Sequence, residues 1–135
     1  MLDMPDIKGQ CYKELIRVLF EHCDIVKWRV IDDFEEVSIL FESIQSECLE
    51  TSYNLKGRQS IKEYTFQFSF FVKQFLEDTT DSLFSWIHPY PEDLSFYKNN
   101  ECLFSSLTHE KQYGIHISLK ETIESFAAYN DLTFS

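Results

Sequence analysis

The sequence predicts an α+β fold in two layers, with residues 1–135 as one domain: an antiparallel or mixed sheet that includes a C-terminal β-meander at about 94–117, packed by two to four helices. Three observations carry this. Apolar residues recur at three- and four-residue steps near the N-terminus and again after Ser118, while aromatic and aliphatic residues alternate around Tyr64 and from Leu94 onward. With 135 residues, 16% of them aromatic, and only three Gly and three Pro, the chain can build a real core and has little room for long linkers.

Cys11, Tyr12, Leu15, Val18, Leu19 and Cys23 mark one side of a helix over about 9–23. The β-branched and aromatic run Ile25 to Ile31 suits a half-buried strand. Asp33, with Glu36 three residues on, reads as a capping box opening a second helix whose apolar face is Phe34, Val37, Leu40, Phe41, Ile44 and Cys48. Thr51 to Ser60 is polar, with Asn54 and Gly57 as turn formers, and reads as a loop. Residues 61–78 fit either a single helix or a strand to about Phe68 followed by a helix capped by Ser69; the clean alternation of the first half favours the second.

Most of the unusual chemistry lies between Trp86 and His116, which hold one of two tryptophans, two of three prolines and three of four histidines. Pro91 has the preset φ of a first helical position, and Glu92 and Asp93 suit the positive end of a helical turn there. Leu94 to Tyr97 reads as a short edge strand, Asn99-Asn100 as a tight hairpin turn, and Cys102 to Leu107 as the returning strand. His109-Glu110 falls at a second turn, and Tyr113, Ile115 and Ile117 alternate on a third strand, with His116 turned the other way. Ser118 and Glu121 form a capping box for a last helix with Leu119, Thr122, Ile123, Phe126 and Ala127 on one face.

The net charge is −11. Residues 1–31 carry five acids and five bases, 51–135 eleven acids and seven bases, and 32–50 seven acids and no base. Those seven are Asp32, Asp33, Glu35, Glu36, Glu42, Glu47 and Glu50, a candidate surface for a basic protein partner; a solvated helix face is the commoner explanation of such a charge run. Nucleic acid and anionic membranes are disfavoured because either needs a basic footprint. No apolar run approaches the roughly 18 residues of a membrane span, and the acidic N-terminus lacks a basic leader, so a cytoplasmic location is expected. The four cysteines form no C-x-x-C pair and read as reduced, buried thiols.

No cofactor or metal is expected. The histidines lack zinc-ligand spacing, and three isolated glycines make no phosphate loop. Imidazole and carboxylates can converge only through Glu92, Asp93, His109 and Glu110, if the meander brings the Pro91 turn to the last hairpin. A helix terminus and a solvated turn account for the same residues without catalysis.

Trp86, Pro91-Glu92-Asp93-Leu94, Phe96-Tyr97 and, after a polar turn, Ser106 and His109-Glu110 resemble a group of small bacterial proteins that share a tryptophan, PEDL-x-F-Y and S-x-x-HE. Some members are connected with sporulation, and others are immunity-like proteins found near secreted toxin systems. The resemblance spans roughly the last third of the chain and implies a non-enzymatic domain that binds protein. It carries no catalytic role to Glu92, Asp93, His109 or Glu110.

Overall fold

A computed structural model describes residues 3–32, 39–87 and 90–134, with side chains as far as 126. Its centre is a six-stranded antiparallel sheet in the order β2-β3-β1-β4-β5-β6. The strands are β1 (Ile25–Ile31), β2 (Cys48–Lys56), β3 (Gln59–Gln67), β4 (Glu92–Lys98), β5 (Glu101–Leu107) and β6 (Gln112–Ile115). Helices α1 (Gln10–His22), α2 (Phe70–Thr79) and α3 (Ile117–Phe134) complete the α+β architecture, and α1 contacts both α2 and α3.

Helix α1 forms where the periodicity places it. Tyr12, Leu15, Ile16, Val18 and Leu19 are buried, while Arg17 bridges Glu14 and Glu21 on the exposed side. Strand β1 alternates as the pattern requires: Val26, Trp28 and Val30 enter the core, and Lys27 and Arg29 face the other way. Trp28 is the hub of that core, stacked on Phe66 at 4.5 Å and tilted against Phe41 and Phe75. The strand-then-helix reading of 61–78 is observed, with β3 ending at Gln67 and the Ser69 hydroxyl accepting the Val72 N–H at the start of α2.

Four expectations are corrected. The second helix does not run to Cys48: Ile39 and Leu40 are helical, a 3₁₀ segment follows over Glu42–Glu47, and Cys48 opens β2. Phe41 and Ile44 still enter the core, so the apolar spacing is met by a tighter helix, whereas Leu40 is exposed. Asp33, Phe34, Glu35, Glu36 and Val37 lie outside the described residues. Second, Thr51 to Ser60 is no loop but most of a hairpin, whose two-residue turn Gly57-Arg58 has Gly57 at φ 65°. Glycine at the first turn position suits a type II′ turn, whose twist matches that of the strands.

The third correction falls on Pro91-Glu92-Asp93. Glu92 is the first residue of β4, not the second of a helical turn, and β4 lies between β1 and β5 rather than at an edge. Leu94 and Phe96 point into the core, and pairing with β1 outweighs the local helix-start signal. Fourth, β6 ends at Ile115, and Ile117 begins α3 at 84% exposure. His116 rather than Ser118 occupies the cap: its Nδ1 lies 3.1 Å from the Ser118 amide and 2.8 Å from the Ser118 hydroxyl. Thr122 is exposed, while Leu119 and Ile123 are buried. The Asn99-Asn100 turn is as expected, both residues at positive φ.

All four cysteines are free thiols, of which only Cys23 is fully buried and Cys102 is exposed. Burial pushes the Cys23 thiol up to about 12.

Candidate functional site

Strand β4 and the 3₁₀ turn Thr108–Glu110 meet where the sequence allowed imidazole and carboxylates to converge. Glu92 is buried, and its Oε1 lies 2.7 Å from Nε2 of His109, whose side chain is 68% exposed. The next carboxylate goes to the same turn: Asp93 Oδ1 accepts the Thr108 N–H at 3.1 Å, and Oδ2 pairs with the Arg29 guanidinium. Adjacent strand residues normally point to opposite faces. Here the β1–β4 register shifts between Lys27 and Arg29, and Asp93 takes a left-handed φ of 56°. The extra residue of this bulge lets both side chains reach one turn.

The arrangement has a definite chemical capacity. A buried carboxylate holds one nitrogen of an exposed imidazole, which fixes the orientation of the ring. It also has a definite structural effect: two carboxylates tether the β5–β6 connection to β4. The Thr108 hydroxyl oxygen is buried without a hydrogen-bond partner among the described residues. Glu110 is exposed, so Glu92, Asp93 and His109 come together and the fourth residue stands apart.

The other motif residues serve the core. Trp86, Leu94 and Phe96 are fully buried and Pro91 is buried, while Tyr97 lies half-buried on the opposite face under Lys27 Nζ at 4.8 Å. Trp86 Nε1 donates to the Tyr12 hydroxyl at 2.9 Å, which donates to the Leu76 carbonyl at 2.6 Å. This chain joins α1, α2 and the segment before β4 in the interior, and burial raises the Tyr12 pKa. The sequence pattern placed Tyr12 only on an apolar helix face and gave Arg29 and Thr108 no role. For Tyr12 a signal existed, since a tyrosine on an otherwise aliphatic helix face needs a partner for its hydroxyl. For Arg29 none did: its partner is 64 residues away.

The acidic residues that can be placed do not share one helix face. Asp32, at φ 66°, closes the end of the β1–β3 pair, its N–H donating to the Ser60 carbonyl and its Oδ1 accepting the Ser60 N–H, each at 2.9 Å. Glu42 is exposed and Glu47 half-buried on the 3₁₀ segment, and Glu50 is exposed on β2. Glu42 and Gln45 border a pocket of about 490 Å³ also lined by Phe41, Thr51, Tyr64 and Phe66. Lys62 enters the same pocket, its Nζ 4.9 Å from the centre of the Tyr64 ring.

Among the described residues no group of three or more His, Cys, Asp or Glu side chains has the geometry to hold a metal ion. No helix among them is long and apolar enough to cross a membrane. No protein-family model matches the chain, and no curated protein or solved structure does either.

Proposed function

We propose that this chain is a non-enzymatic domain that binds another protein, a basic one, and acts as an immunity-type inhibitor of a basic toxin. The observation that carries the reading is the pocket beside Glu42, with its aromatic floor of Phe41, Tyr64 and Phe66. A lysine or arginine from a partner would pair with the exposed Glu42 carboxylate at the rim, above rings that are themselves nearly buried and of which Tyr64 already carries Lys62. The net charge of −11 steers such a partner from a distance. The resemblance of the Trp86 to Glu110 stretch to immunity-like proteins supports the finer assignment.

The test is co-expression with a basic toxic domain from the same gene neighbourhood, together with a salt series of association rates. Glu42→Lys with Glu47→Lys should slow association roughly tenfold and flatten its salt dependence. Equal rates and equal salt sensitivity in wild type and variant would reduce these acids to solvation.

The 2.7 Å contact between Glu92 and His109 favours a second reading, a small enzyme that uses a carboxylate-held imidazole. That reading requires His109→Ala to keep its melting temperature while losing all cellular activity. The binding reading requires His109→Ala to retain activity.

A further inference from the structure

Two phenylalanines open α2 without serving the helix. Phe70 and Phe71 are 61% and 64% exposed, and their rings meet edge to face with centres 6.2 Å apart. The helix start is provided for by others: Ser69 accepts the Val72 N–H, and Phe68 before the cap and Val72, Phe75 and Leu76 after it enter the core. Adjacent aromatic rings left in water cost stability, and such a patch on a folded surface marks a place of contact.

The patch has neighbours. Cys48 pairs with Phe66, four residues before α2 begins, so the start of β2 and the first turn of α2 share one corner of the molecule. The 3₁₀ segment Glu42–Glu47 leads into that corner and contacts α2. Leu49, where the β2–β3 register shifts, is 58% exposed there and lies between Glu47 and Glu50 in the chain. Cys48 and Phe66 also line the pocket beside Glu42, so the corner continues that pocket.

The free charge around this surface has one sign. Glu42, Glu47 and Glu50 make no ion pair among the described residues. Lys73, the base nearest the rings along α2, is held by Glu77 at 2.7 Å, and Lys62 lies over Tyr64. A second copy of the chain would set its own carboxylates against these, whereas a cationic segment neutralises them.

We infer that the corner formed by Leu49, Phe70 and Phe71 is the apolar half of the partner-binding surface, and that it takes a partner segment in which large aliphatic side chains lie beside lysine or arginine. This rests on the binding reading above and extends it. The pocket at Glu42 selects charge, but its ring floor is nearly buried and offers little area; the exposed rings of Phe70 and Phe71 supply that area beside it.

Two synthetic peptides of equal length and charge separate the claims, one with leucines at helical spacing among lysines and one with serine in place of each leucine. Calorimetric titration near 0.15 M salt should find the leucine peptide bound roughly tenfold more tightly than the serine peptide by the wild-type chain. Phe70→Ser with Phe71→Ser should erase that advantage and leave the serine peptide unaffected, while Glu42→Lys with Glu47→Lys should weaken both. Circular dichroism checks that the variants are folded. Amide shifts of the wild type on adding the leucine peptide, largest at Leu49, Phe70 and Phe71, decide without any variant. If both peptides bind alike, or if the leucine advantage survives the two serine substitutions, the corner is overturned and the charge reading stands. If neither peptide binds, both fall. A wild type that self-associates, and becomes monomeric with the two serine substitutions, would make a second copy the occupant and overturn the inference.

Discussion

The hairpins β2–β3 and β4–β5 use the same local devices to different ends. Each reverses through a two-residue turn that uses positive φ, at Gly57 alone in Gly57-Arg58 and at both residues in Asn99-Asn100. In β4–β5 the alternation is filled: Glu92, Leu94 and Phe96 are buried on one strand and Leu103, Phe104 and Ser106 on the other. In β2–β3 the outer strand is almost wholly exposed, and β3 becomes buried only from Tyr64 onward, where it crosses Trp28. A hairpin can thus be held by its turn and its ladder alone when the neighbouring strand is anchored. Burial is a property of its place in the sheet.

The contrast predicts where the molecule is fragile. Trp86→Ala, which empties a fully buried site and removes the hydrogen bond to Tyr12, should cost about 3–5 kcal/mol in denaturant melts. A loss under about 1 kcal/mol would mean that the segment entering β4 is not anchored as described. Glu92→Ala should cost about 1–3 kcal/mol, because it releases the His109 turn and leaves a buried gap beside Asp93. If the cost matched that of an exposed carboxylate, the tether would be incidental. Gly57→Ala should cost only about 1 kcal/mol: a Cβ there meets nothing within 4 Å, and the penalty comes from a φ of 65° alone. Melting curves that separate these three in that order would sharpen the distinction between the seated hairpin and the projecting one.

What was legible in the sequence follows the same line. β1, α1 and the switch from strand to helix at Ser69 could be read because each buries a face, which leaves a period of two or of 3.6. Strand β2 buries neither face, so Thr51 to Lys56 carried only turn residues as a signal and read as a loop, while Cys48 at its start read as the end of the second helix. At Glu92 the local code was misleading for a related reason. Pro-Glu-Asp is a good helix start in isolation, but Leu94 and Phe96 gain more by lying beside β1, and the misfit is absorbed in a bulge at Asp93. The convergence of Glu92 with His109 was visible as a condition on the meander, and the bulge that brings Asp93 and Arg29 into it was not.

Native-state hydrogen exchange on dilute protein tests the contrast most directly. In β2 the amides of Ser52, Asn54 and Lys56, bonded to β3, should exchange more slowly than those of Thr51 and Leu55, yet faster than the core amides of Trp28 in β1 and Phe96 in β4. Uniformly fast exchange from Thr51 to Lys56 would restore the loop and contradict the account, and so would protection in β2 equal to that of β4.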